Sequence, residues 1–256
     1  MVISKALIRK SKVFILYIIF IIFAEVVTSL YDPSFGMVLH SVILVSLLVL
    51  STFRYKEHSV SNLFLSLSLA PLIRIISLSL PLTYFPRSAW YLVSSVPILV
   101  AALVLMRLQG LGLRDVGITF RKPLAQVGIM LMGVPFGVVE YFILRPEPLA
   151  TGLSLEGFVV LAAALVFSTG FVEEFVFRGI MQYHAVHALG GTGILGISVV
   201  FAALHIGWLS LLDIIFVFSI GLLFSYISFK TGNILGASLS HGITNVVFFL
   251  AMPFII

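Results

Sequence analysis

Nine runs of mostly apolar residues constrain the fold of this chain more than any other feature of its sequence. An α-helix needs about 20 such residues to cross a bilayer. The runs cover residues 13–30, 37–53, 60–80, 89–106, 124–144, 158–182, 193–205, 209–229 and 234–256. The seventh run is short and the sixth is long, so their boundaries are the least certain. The sequence predicts an all-α, polytopic transmembrane helix bundle with eight or nine spans.

The composition excludes a soluble domain and narrows the chemistry. Hydrophobic residues make up 61% of the 256 residues and charged residues only 10%. The net charge of +5 would suggest nucleic acid in a soluble protein, but here the basic residues fall at helix ends. We therefore expect membrane lipids as partners and no nucleic acid. Because the chain has no cysteine, disulfides, a thiolate nucleophile and sulfur-bound metals are excluded.

The distribution of basic residues predicts the orientation in the membrane. If the N-terminus is cytoplasmic, nine alternating spans place most basic residues on the cytoplasmic side. Arg87 and Arg145 are the basic residues that then lie on the opposite side. The cytoplasmic set comprises Lys5, Arg9, Lys10, Lys12, Arg54, Lys56, the segment 107–122, the region after Arg178, and Lys230. This asymmetry is the positive-inside pattern and predicts a cytoplasmic N-terminus.

One polar connector divides the predicted helices into a group of four and a group of five. It covers residues 107–123, RLQGLGLRDVGITFRKP. We expect a single integral membrane domain over residues 1–256. Within it, residues 1–106 form helices of unassigned role, and residues 124–256 form the helices that carry the chemistry.

Two adjacent glutamates, Glu173 and Glu174, lie inside the sixth apolar run. Each ionised carboxylate at mid-membrane costs about 2.5 to 3.5 kcal/mol, so the pair needs a partner or a function. In an α-helix, neighbours differ in direction by about 100°, whereas residues four apart share a face. The sequence therefore predicts that Arg178 neutralises Glu174 and leaves Glu173 available.

Two histidines and an asparagine complete a candidate site in the later runs. At a helix rise of about 1.5 Å per residue, Glu173, His205 and His241 can lie at one level in the membrane. A carboxylate and an imidazole that meet over a water form a general base. His241 and Asn245 are four residues apart and can present the two donors of an oxyanion hole. This arrangement predicts attack of activated water on a peptide carbonyl.

Three strings in these runs resemble the motifs of a known family. The strings EEFVFR (Glu173 to Arg178), FAALH (Phe201 to His205) and HGITN (His241 to Asn245) resemble the EExxxR, FxxxH and HxxxN motifs of the CPBP intramembrane proteases. That family includes the CAAX prenyl endopeptidases of type 2 and bacterial Abi proteins linked to bacteriocin processing or immunity. The resemblance covers about the last hundred residues.

The resemblance implies an intramembrane glutamate protease and a role for each matched residue. It implies a peptide or protein substrate, which can be lipidated or embedded in the membrane, and no cofactor. It also implies a location in the plasma membrane of a prokaryote. The implied roles are water activation by Glu173 and His205, oxyanion stabilisation by His241 and Asn245, and support of the site by Glu174, Arg178 and Phe201.

Three alternatives stay open at this stage. Glu173, His205 and His241 can together ligate a zinc ion, although the sequence has no HExxH string. A catalytically silent binding, immunity or scaffold protein can share the same fold. A transporter can use intramembrane Glu and His as proton carriers, but neither inverted repeats nor broken helices are visible in the sequence.

Overall fold

The computed structural model describes residues 5–150, 152 and 154–255. Throughout this part of the chain there is no β-strand, and nine helices are long and apolar enough to cross a membrane. The predicted all-α fold is therefore confirmed, with nine candidate spans. They are α1 Lys5–Leu30, α2 Pro33–Phe53, α3 His58–Ser79, α4 Arg87–Leu108, α5 Pro123–Leu144, α6 Leu155–Leu189, α7 Gly191–Trp208, α8 Leu211–Thr231 and α9 Leu235–Ile255.

Helix ends are set by residues that satisfy the free backbone groups. At the start of α2, the Asp32 carboxylate accepts a hydrogen bond from the Phe35 amide at 2.6 Å. At the start of α6, the Ser154 hydroxyl accepts one from the Gly157 amide at 3.1 Å. Helix α6 ends at Leu189 and is followed by Gly190, whose φ of 65° favours glycine. The 35 residues of α6 extend beyond the predicted run 158–182 at both ends.

The chain forms two compact units. The first comprises the described part of residues 1–79 together with residues 180–226. The second comprises residues 80–179 with the described part of residues 227–256. Each unit takes residues from both sides of the polar connector. The single domain inferred from the sequence stays a prediction.

In the first unit, helix α1 packs closely against both α2 and α7. Gly36 of α2 lies against the backbone of Thr28 in α1, where an added Cβ would overlap that residue. Gly196 of α7 lies against the ring of Phe14 in α1. These close approaches fix the position of α1, which carries the buried Glu25.

In the second unit, helix α9 packs between α5 and α6. A Cβ on Gly170 of α6 would lie 2.5 Å from the Ser238 carbonyl oxygen and 2.8 Å from the Gly242 nitrogen, both in α9. Gly133 of α5 lies equally close to the Ser240 carbonyl. The backbone of α9 around His241 is therefore held against two neighbouring helices. The adjoining apolar core consists of Tyr141, Leu161, Leu165, Phe248, Phe249, Leu250 and Met252.

Candidate active site

The predicted ion pair between Glu174 and Arg178 is present in the second unit. Oε1 of Glu174 lies 2.9 Å from Nη1 of Arg178, and both side chains are completely buried. Moving two such charges out of water costs free energy. Their mutual attraction offsets that cost only when the geometry is good and further hydrogen bonds are present. The Glu174 carboxylate receives one such further hydrogen bond from helix α9.

His241 provides that second contact to Glu174. Nδ1 of His241 lies 3.0 Å from Oε1 of Glu174. Because an ionised carboxylate oxygen can only accept a hydrogen bond, Nδ1 carries the proton and donates. One buried oxygen therefore accepts from both Arg178 and His241. The Glu174 carboxylate fixes the direction of the His241 ring, and Nε2 is the nitrogen that faces away from it.

Glu173 differs from its neighbour in both exposure and contacts. Its side chain is 35% exposed, whereas that of Glu174 is not exposed at all. Oε2 of Glu173 lies 4.0 Å from Nε2 of His241. The two nitrogens of the His241 ring thus face the two glutamates. The sequence placed Glu173 and His241 at one level in the membrane, but it did not indicate the contact between His241 and Glu174.

Asn245 lies on the same α-helical stretch as His241, Leu235–Val246, and one turn further along it. Its side chain is half-buried. Residues four apart on an α-helix share a face, so the backbone places the Asn245 amide beside His241 along α9. His241 and Asn245 are thus one helical turn apart in the structure, as the predicted oxyanion hole requires.

The helices around the motifs depart from the α-helical geometry assumed from the sequence. Helix α6 contains two π-helical stretches, Val166–Phe171 and Phe175–Met181, with α-helical turns at Val172–Glu174 between them. A third π-helical stretch, Val247–Ala251, follows Asn245. Such wide turns are rare and are found frequently at functional sites. No simple sequence pattern predicts these π-helical stretches.

The motif from Phe201 to His205 lies in the first unit. The α-helical part of α7 ends at Ala203, so His205 occupies the turn that follows and not the end of the helix, as the run 193–205 predicted. Nδ1 of His205 lies 2.9 Å from the Phe201 carbonyl oxygen, and the two rings are 4.9 Å apart between centroids. Since a carbonyl only accepts, Nδ1 donates, and Nε2 carries the lone pair of the neutral ring. The ring thus donates to a carbonyl in the last turn of the α-helical part of α7.

Glu173 and His205 belong to different compact units, and their meeting over a water stays a prediction. Across the described ranges of the chain, no group of three or more His, Asp or Glu side chains has the arrangement of a metal site. Zinc ligation by Glu173, His205 and His241 stays an alternative for experiment.

Comparison with known proteins supports the resemblance carried by the motifs. Residues 155–247 match the family model of Rce1-like type II CAAX prenyl endopeptidases. No curated protein and no solved structure matches the chain. The matched segment contains all three motifs, from Glu173 through Asn245.

The nine apolar helices and the matched segment support an integral membrane protease of the CAAX type as the class of this protein. The match supports membership of the CPBP family, as the three motifs predicted. A protease of this class acts on a peptide or protein substrate.

Proposed function

We propose that this protein is an intramembrane glutamate protease in which Glu173 and His205 activate a water molecule. The observation that carries the proposal is the division of roles between the two glutamates. Glu174 is buried and held by Arg178 and His241, whereas Glu173 is partly exposed and lies beside Nε2 of the same histidine. A general base must reach water, and of the two glutamates Glu173 is the one with an exposed part.

In the proposed reaction, the base removes a proton from water as the water oxygen attacks the peptide carbonyl carbon. The C–N bond of the resulting tetrahedral intermediate then breaks, and the same proton passes to the leaving amine. The second water proton stays on the new acid group, so the products are a carboxylic acid and an amine, and atoms and charges balance. His205 shares the proton through its Nε2 lone pair, because its Nδ1 is engaged with the Phe201 carbonyl.

His241 and Asn245 stabilise the oxyanion in this proposal. His241 donates through Nδ1 to Glu174, so a second donation from Nε2 to the oxyanion requires the doubly protonated ring. The buried Glu174 carboxylate stabilises that imidazolium in the way that a triad carboxylate does. The Asn245 amide supplies the second donor, and loss of one such donor typically costs about 10²- to 10³-fold in rate.

The substrate class that we propose is a peptide ending in a prenylated cysteine followed by three residues, as the name of the matched family suggests. Two synthetic peptides of one sequence provide the probe, one farnesylated at the cysteine and one unmodified. Mass spectrometry of the products locates the cleaved bond. Comparison of peptides in membranes with and without the active protein identifies natural substrates.

The test of the mechanism uses purified protein in detergent. The parent is expected to cleave the farnesylated peptide, and Glu173→Gln and His205→Ala are expected to lose activity by about 10²- to 10⁴-fold. Arg87→Gln is a suitable control, because Arg87 lies in an exposed ion pair with Glu147. Processing by Glu173→Gln or His205→Ala at the parental rate would disprove the mechanism.

A further inference from the structure

A cluster of three polar side chains from three helices lies inside the first unit. Glu25 of α1 and His40 of α2 are completely buried, and Arg74 of α3 is largely buried. Oε1 of Glu25 accepts a hydrogen bond from Nε of Arg74 at 2.9 Å, and Oε2 lies 2.6 Å from Nη2. Nε2 of His40 lies 3.3 Å from Oε1 of the same carboxylate.

Arg74 also reaches the segment that carries His205. Its Nη2 donates a hydrogen bond to the Leu204 carbonyl oxygen at 2.8 Å. Leu204 directly precedes His205, and a peptide unit is planar. Holding the Leu204 carbonyl therefore fixes the plane of the peptide bond that leads to the His205 Cα atom.

His205 itself lies outside the regular helical segments on either side of it. His205 lies between the α-helical part of α7 and the short 3₁₀-helix Ile206–Trp208, with φ of −96° and ψ of 0°. Carbonyl groups at a helix end have no partner within the helix and need one from elsewhere. Here the Phe201 carbonyl accepts from His205 and the Leu204 carbonyl accepts from Arg74.

Helix α1 provides the backing for this turn. It packs against Ile206–Trp208, and the Ser29 hydroxyl faces Gly207 at ordinary contact distance from where a Cβ would stand. Glu25 and Ser29 are four residues apart and share a face of α1. The same face therefore contacts the turn directly and holds the arginine that is hydrogen-bonded to it.

We propose that Glu25 and Arg74 are positioning residues for His205. Glu25 orients the guanidinium group, and Arg74 holds the Leu204 carbonyl so that the His205 ring keeps its catalytic direction. The inference rests on the proposed function, in which His205 acts on the attacking water. Arginine suits the task because its planar group has several donors in fixed directions, which allows it to bind the carboxylate and the carbonyl together.

The alternative is that the pair only holds α1 and α3 together. If the pair is purely structural, a substitution in it would change the yield and thermal stability of the protein. It would leave the turnover of the folded fraction unchanged. The two roles therefore separate in a measurement of kcat and KM on protein that is shown to be folded.

The first test is Arg74→Lys, which keeps the positive charge but cannot bind both oxygens with the same geometry. We expect kcat on the farnesylated peptide to fall about tenfold or more with KM unchanged, because small misplacements of a reacting group are costly. Arg87→Lys, the same change in the exposed pair with Glu147, is the matched control and is expected to keep parental kcat. Parental kcat in folded Arg74→Lys would overturn the proposal.

A second measurement reads the environment of His205 without turnover. Diethyl pyrocarbonate modifies accessible histidines, and peptide mass spectrometry resolves each site. We expect the modification rate of His205 to change several-fold in Glu25→Gln, while the exposed His58 keeps its parental rate as an internal control. An unchanged His205 rate in both Glu25→Gln and Arg74→Lys would rule out positioning, even where stability falls.

The same assays distinguish this inference from the proposed function. If His205→Ala keeps parental activity, the proposed mechanism fails, whatever Arg74→Lys does. If His205→Ala is inactive while Arg74→Lys has parental kcat and parental His205 reactivity, only the positioning role fails. If both variants lose turnover and His205 reactivity changes, both proposals are supported.

Discussion

Oε1 of Glu174 lies 3.0 Å from Nδ1 of His241, although 67 positions separate the two residues in the chain. The same oxygen lies 2.9 Å from Nη1 of Arg178, one turn further along α6. A single buried atom thus links an ion pair within α6 to the histidine of α9. The orientation of His241 depends on this link, because the other ring nitrogen is then directed towards Glu173.

The Glu174→Gln variant tests this link through both activity and stability. We expect kcat to fall by about 10- to 100-fold, because His241 loses its orienting carboxylate. We also expect the free energy of unfolding to fall by about 3 to 5 kcal/mol, because the buried Arg178 loses its charged partner. Turnover of a reporter peptide and thermal unfolding in detergent measure the two effects.

Glu147→Gln is the control for that experiment. Glu147 forms an exposed pair with Arg87, and such pairs contribute about 0 to 1 kcal/mol. Both its activity and its melting temperature are expected to match the parent. A Glu174→Gln protein that melts and turns over like this control would show that the buried pair neither orients His241 nor stabilises the bundle.

Gly170→Ala tests the close approach of α6 and α9. The added Cβ would lie 2.5 Å from the Ser238 carbonyl oxygen, so the two helices must separate. We expect a loss of about 1 to 3 kcal/mol of stability, the usual cost of overpacking, together with reduced kcat because His241 moves with α9. Thermal unfolding and peptide turnover are again the measurements.

Gly128→Ala is the matched control for Gly170→Ala. A Cβ on Gly128 of α5 meets nothing within 4 Å. Alanine in a helix is favoured over glycine by about 0.5 to 1 kcal/mol, so this variant is expected to be neutral or slightly more stable. Equal behaviour of the two alanine variants would contradict the packing that we describe.

The predicted orientation can be tested with single introduced cysteines, because the chain has none of its own. With a cytoplasmic N-terminus and nine spans, Lys56→Cys lies on the cytoplasmic side and Glu147→Cys on the opposite side. A membrane-impermeant maleimide applied to intact cells is expected to label only Glu147→Cys. Labelling of Lys56→Cys alone would show that the orientation is the reverse of the predicted one. Labelling in detergent-permeabilised cells shows whether each cysteine can react.

Metal dependence separates glutamate chemistry from the zinc alternative. Water activation by Glu173 and His205 needs no metal, so we expect peptide cleavage to survive prolonged treatment with EDTA and with 1,10-phenanthroline. Metal analysis of the purified protein accompanies the assay. Activity that is lost on chelation and restored by zinc would instead support ligation by Glu173, His205 and His241.

Local features of this protein follow directly from the order of its residues. Within the described residues, all nine apolar runs lie in helices of membrane length, because in hydrocarbon a backbone must satisfy its own hydrogen bonds. The Glu174–Arg178 pair could likewise be predicted, since residues four apart on a helix meet without help from the rest of the fold. The motifs from Glu173 to Asn245 were sufficient to indicate the family.

Contacts between distant segments were decided only by the tertiary structure. Glu25 meets Arg74 across 49 positions, and Glu174 meets His241 across 67. Hydropathy and spacing do not determine which helix face packs against which, so they do not select these partners. The Leu204 carbonyl, just past the end of the α7 helix, likewise meets Arg74 across 130 positions. The sequence thus predicted eight or nine membrane helices and the identity of the chemical groups, and helix packing determined which of those groups touch.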